Sequence, residues 1–239
     1  MPHRGPGVVR YPSPLMSATT DSWPAGLPRY RVGEEIASAV THGVAAGLAV
    51  AGLAVLVAFA SLRGTAWEIV GVSVYGASMI FMFTTSTIYH AIPSWRAKRV
   101  LRILDHAGIF LAIAGTYTPF TLGNLRGPWG WTLFAIVWSL AVIGTVYKAL
   151  AITRLRVLGV VVYVAMGWLV IVALRPLMQS VAPGGVALLF AGGFAYTAGI
   201  GFYAARRLPY AHFVWHLFVL TGATLHFFAI LFYVVPQGA

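Results

Sequence analysis

Cysteine is absent from this 239-residue chain, which excludes disulfides and thiolate ligands together and leaves nitrogen and oxygen as donors for any bound metal. Acidic residues are almost as scarce. Five Asp and Glu face sixteen Lys and Arg, and all charged residues make up 9% of the sequence, where a soluble domain carries about 25%. What fills the chain instead is apolar: 59% of its residues, with a mean hydropathy of +0.83. The apolar runs are long enough to cross about 30 Å of hydrocarbon as helices. They lack the alternation of a transmembrane β-strand. The fold class read from these features is an all-α membrane protein.

Seven spans fit the sequence, at roughly 36–60, 67–90, 105–125, 129–149, 157–177, 185–205 and 212–235. Basic residues then fall on alternate sides. Thirteen of the sixteen lie on one side: Arg4, Arg10, Arg29 and Arg31 before the first span, Arg96, Lys98, Arg99 and Arg102 after the second, Lys148, Arg154 and Arg156 after the fourth, and Arg206 and Arg207 after the sixth. Arg63, Arg126 and Arg175 are left for the other side. Positively charged loops stay cytoplasmic, so the expected seven-transmembrane helix bundle has its N-terminus in the cytoplasm and its C-terminus outside, in the plasma or inner membrane. The net charge of +11 would suit nucleic acid only on a solvated face. The partners expected here are membrane lipids, with no nucleic acid.

Residues 1–33 carry Pro2, Pro6, Pro12, Pro14, Pro24 and Pro28 among Ser, Gly and Arg, a composition that cannot bury enough apolar surface to order itself. We read them as a flexible basic cytoplasmic tail, followed by one seven-helix domain over 34–239. No signal-peptide core precedes Glu34, so the first span is expected to target the chain to the membrane. Gly43 and Gly47 read as helix-packing positions within the bundle. Pro119, after Thr116-Tyr117-Thr118, predicts a kink whose freed carbonyl a nearby hydroxyl would satisfy.

With that orientation, polar residues far apart in sequence share one depth. His212 and His216 stand four apart on one face of the seventh span, His90 closes the second span on the same side, and Asp105 and His106 open the third. Three neutral imidazoles with one open position make a zinc site of the catalytic kind. An ordinary helix-to-helix hydrogen bond is the competing reading for any single one of these histidines. It is the preferred reading for His42 and for His226, which lies about 15 Å beyond His216. Ser86 sits one turn deeper than His90 on the stripe Ser78, Met82, Ser86, His90. Asp105 needs a partner inside a membrane; of a metal-bound water, an imidazole and Arg102, the water is favoured, because a carboxylate there can accept its proton. His106 projects about 100° away from Asp105 and is expected to be supporting or structural. Glu34 suits the positive end of its own helix, and Glu35 and His42, two turns apart, share a face toward the bundle interior. Arg96, Lys98, Arg99 and Arg102 are read as headgroup contacts that set topology.

The segments Glu35-Ile-Ala-Ser38-Ala-Val-Thr41-His42-Gly43, Ser86-Thr-Ile-Tyr-His90, Leu104-Asp105-His106-Ala-Gly-Ile, Gly115-Thr-Tyr-Thr-Pro119-Phe and His212-Phe-Val-Trp-His216-Leu-Phe occur in this order. Together they resemble the hemolysin III family, a mainly bacterial branch related to the progestin and adipoQ receptors and more distantly to alkaline ceramidases. The resemblance implies zinc on His90, His212 and His216, with Ser86 and Asp105 close to its water. Ser38 stands where relatives often have asparagine. The function expected is a zinc-dependent hydrolase of membrane lipid amides or esters, with Asp105 moving the proton and Ser86 steadying the oxyanion. The alternative is a cytolytic, pore-forming or receptor-like protein in which zinc is structural.

Overall fold

The computed structural model describes residues 28–151, 156–205 and 207–235. Most of the tail, with Arg4 and Arg10, lies outside the described residues, as do Arg154, Arg206 and the last four positions.

Among the described residues there is no strand. The helices are α1 (Val32–Arg63), α2 (Ala66–Ala91), α3 (Trp95–Leu122), α4 (Pro128–Ala151), α5 (Arg156–Trp168), α6 (Leu174–Ser180), α7 (Pro183–Ala204) and α8 (Ala211–Tyr233). A 3-10 stretch, Leu169–Ala173, joins α5 to α6, and the three together form one span, so seven spans are long and apolar enough to cross a membrane. Local chemistry explains several starts. Thr65 and Glu68 form a reciprocal capping box at α2, in which the Thr65 amide donates to Glu68 Oε2 at 2.6 Å. Proline opens α4 and α7, where its missing N–H costs nothing.

The faces of α1 show how the bundle solves its solvent problem. Val32, Ile36, Val40, Val44 and Leu48 are exposed at four-residue spacing, while Glu34, Ser38 and His42 are buried. Apolar side chains face outward and polar ones inward, the arrangement a lipid surround requires. α1 packs on α2, α2 on α3, α3 on α4, α7 on α8, and α8 returns to α1. α3 also touches α5 and α8, which makes it the central post. α7 and α8 approach closely through glycine: a Cβ on Gly222 would fall 2.7 Å from Cε2 of Tyr196.

Four details differ from the sequence reading. The third span begins at Trp95, three turns before Asp105, so part of the supposed loop is helix. The fifth span is interrupted after Trp168. Pro176 removes a donor and crowds the carbonyl four residues back, and Tyr117 repairs the exposed backbone: its hydroxyl donates toward the carbonyls of Met166 and Gly167, each at 2.9 Å, and accepts from the Val170 amide at 2.8 Å. Near Pro119, the hydroxyls of Thr116 and Thr118 donate to Ala112 and Ala114 rather than to the freed carbonyl of Gly115. Within the basic cluster, Lys98 and Arg102 are buried instead of facing headgroups.

Candidate metal centre

The end of the bundle where α1, α3 and α8 begin and α2 finishes gathers the polar residues. His90 comes from the last turn of α2, and His212 and His216 from the first turns of α8. His212 Nε2 lies 3.3 Å from His90 Nε2 and 3.1 Å from His216 Nε2, and the three ligand atoms all lie within 4.8 Å of one another. Bonds of about 2.0–2.1 Å to a tetrahedral metal separate neighbouring nitrogens by about 3.3 Å. Two of the three pairs, His212 with His90 and with His216, have that spacing.

Its surroundings fix the ring orientations. His90 Nδ1 meets Glu35 Oε2 at 2.6 Å, and Lys98 Nζ donates to Glu35 Oε1 at 2.7 Å and to the Tyr89 carbonyl at 2.9 Å. A carboxylate already held by an ammonium accepts from the imidazole, so the His90 proton sits on Nδ1 and the Nε2 lone pair points at the other two rings. Glu34 is buried in the first turn of α1. Its Oε1 accepts the backbone N–H of His212 at 3.1 Å, satisfying an orphan donor of α8 just after the left-handed Tyr210. Adjacent carboxylates on α1 thus position triad histidines on two other helices. Tyr30, which the sequence reading leaves in the tail, stacks on His212 with centroids 4.5 Å apart. Burial pushes its hydroxyl well above the ordinary tyrosine value, so the ring stays neutral.

Ser86 is buried one turn below His90 and lines the inner cavity together with Asp105. Asp105 stands outside the histidine triad, and its carboxylate lies 3.5 Å from His106 Nδ1. His106 also donates from Nδ1 to the Arg102 carbonyl at 2.9 Å. His226 behaves as expected, bonding the Leu189 carbonyl of α7 at 3.0 Å. His42 does not: neither ring nitrogen has a hydrogen-bond partner, and the ring stacks on His216 at 3.8 Å with an angle of 17°. Helix pairing by hydrogen bond is therefore not its role.

Two cavities meet here. An inner one of about 160 Å³ is walled by residues such as Met82, Ile109, Ile113 and Val219 and reaches Ser86 and His216. A mouth of about 480 Å³ opens beside Tyr30. Asp105, His106, Tyr203 and His212 line both.

The Haemolysin-III related family model matches residues 30–227. The chain belongs to this family. It is 46% identical to Hemolysin-3 of Bacillus cereus over 208 residues, covering 87% of this chain and 95% of that relative. It is 45% identical to the Hemolysin-3 homolog of Bacillus subtilis (strain 168), covering 86% and 97%. The monocyte to macrophage differentiation factor of Homo sapiens shares 31% identity over 82% of this chain and 83% of its own length. Membership and the seven apolar helices make this haemolysin-III-related chain a multi-pass integral protein of the plasma membrane.

The matched region starts at Tyr30 and so takes in every residue described around the triad. Lys98 and Tyr30 are the members that sequence reasoning missed. Glu35 was turned toward the interior by its helical register with His42, and the structure adds its partners, His90 and Lys98. For Lys98 the signal was its place one helical turn before Arg102, on a stretch read as loop.

Proposed function

We propose that this protein binds zinc on His90, His212 and His216 and hydrolyses an amide or ester of a membrane lipid. The observation that carries this reading is the convergence of three imidazole nitrogens, 3.1 and 3.3 Å apart, beside a carboxylate that is not a ligand. Three nitrogen donors with an open position fit zinc better than magnesium or calcium, which take oxygen. Zinc, when bound, polarises a carbonyl and lowers the pKa of a water. The chain supplies the rest. Asp105 accepts a proton and returns it to the leaving group. Ser86, which lines the same cavity as Asp105, turns its hydroxyl toward developing negative charge. Glu35 and Glu34 hold the ligands in place, and the apolar inner cavity excludes water.

The excess of basic residues at the site end supports a cytoplasmic placement of the centre, with residues 1–33 as its tail. The deciding experiment compares His212→Ala with Asp105→Asn. The alanine variant loses zinc and turnover. The asparagine variant keeps zinc and loses turnover. Equal zinc content and equal lipid hydrolysis in both variants overturn the reading. Retained ion leakage from liposomes with no hydrolysis in any form would favour the cytolytic alternative.

A further inference from the structure

We infer that His106 sets specificity: its Nε2 accepts a hydrogen bond from an N–H carried by the molecule that passes the histidine triad. The inference rests on the hydrolytic reading and deepens it, because a lipid amide has such a donor beside its carbonyl and the matching ester has none.

The surroundings of the ring fix its tautomer. Nδ1 of His106 has two acceptors near it, the Arg102 carbonyl at 2.9 Å and the Asp105 carboxylate at 3.5 Å. The neutral imidazole therefore carries its proton on Nδ1 and its lone pair on Nε2. Among the described residues Nε2 has no hydrogen-bond partner, while the side chain is 14% exposed and lines both the mouth and the inner cavity. It is an acceptor open to an incoming donor.

The ring is also held in place. The Tyr163 hydroxyl of α5 donates to the backbone carbonyl of His106 at 2.8 Å, and the bond from Nδ1 ties the side chain to the preceding turn of α3. Rotating the lone pair away would break that bond.

Four residues line both cavities: Asp105, His106, Tyr203 and His212. A molecule that reaches from the mouth to the aliphatic walls around Met82, Ile109, Ile113 and Val219 shows these four its middle, where a polar head joins an apolar chain. Their roles differ. His212 belongs to the triad, Asp105 is assigned the proton, and the Tyr203 hydroxyl donates as readily as it accepts. Nε2 of a neutral His106 can only accept, so it favours a middle that carries an N–H over one that carries an ether-type oxygen.

The test uses the full-length protein in neutral detergent and mildly alkaline buffer, where an imidazole is neutral. The probes are N-dodecylacetamide, N-dodecyl-N-methylacetamide and dodecyl acetate, with affinity read from tryptophan fluorescence and thermal unfolding, first after chelation and then with zinc loaded. The parent is expected to bind N-dodecylacetamide about two- to tenfold more tightly than either probe without a donor. His106→Asn keeps a donor in the place of Nδ1 and lacks the acceptor, so the preference should disappear; His106→Phe keeps the ring without its nitrogens and should lose it too. His106→Gln brings an amide oxygen to the place of Nε2 and should restore it. Equal affinities in the parent overturn the inference, as does a preference intact in either the asparagine or the phenylalanine variant. A preference missing from His106→Gln as well would mean that the ring acts by packing, which also overturns it. A preference that follows this pattern in a protein hydrolysing neither amide nor ester would defeat the proposed reaction alone.

Discussion

Glu35 Oε2 lies 2.6 Å from His90 Nδ1, which makes a residue of the first helix the orienting partner of a ligand on the second. The same carboxylate takes Lys98 Nζ on its other oxygen at 2.7 Å. Three helices are therefore joined through one side chain at the edge of the triad. Glu35→Gln keeps the shape and removes the charge, and its zinc affinity should fall about 10- to 100-fold. Competition against a chromophoric chelator measures it. Unchanged affinity would mean that His90 is oriented by packing alone.

Tyr30 lies flat on His212 and covers one face of its ring at the mouth. Such ring contacts contribute about 0.5–1.5 kcal/mol. Tyr30→Ala should speed zinc release to excess chelator by about two- to tenfold, with little change in the melting midpoint. Stopped-flow chelation reads the rate, and an identical rate in the variant would refute a covering role.

Tyr117→Phe removes the hydroxyl that serves the broken backbone of the fifth span. The amide of Val170 and the carbonyls of Met166 and Gly167 lose their partner at once, at a cost of about 1–3 kcal/mol. A lowered unfolding midpoint in detergent is expected. A midpoint equal to that of the parent would show that lipid or water satisfies these groups equally well.

Gly222→Leu probes the closeness of α7 and α8. Its side chain would collide with the Tyr196 ring, push α8 outward and carry His212 and His216 with it. Zinc content should drop although no ligand is touched. Tyr196→Ala in the same chain should restore it, and failure of that rescue would place the effect elsewhere.

The bundle was legible because lipid imposes one rule on every span, and apolar runs of sufficient length record it. The histidines were legible because four-residue spacing puts His212 and His216 on one face whatever surrounds them. The interruption of the fifth span was less so: Pro176 marks trouble, but the compensating Tyr117 lies 53 residues before Val170 and no local pattern joins them. Glu35 and Lys98 pair across 63 positions. Lys98 was hidden further by the reading of 95–104 as loop, since only a helix there turns it inward. His42 illustrates the opposite error, in which a general habit of membrane histidines was applied to a ring that stacks on another.

The bond from Glu34 to the His212 amide has a consequence for biogenesis. The first span emerging from the ribosome carries both carboxylates that the centre leans on, yet two of the three imidazoles belong to the last span, the earlier of them made 178 residues after Glu34. A truncated or half-inserted chain therefore holds one imidazole and cannot chelate. Metal capture would then mark completed membrane integration, with a bound cation as a late clasp fastening the end of the polypeptide to its beginning.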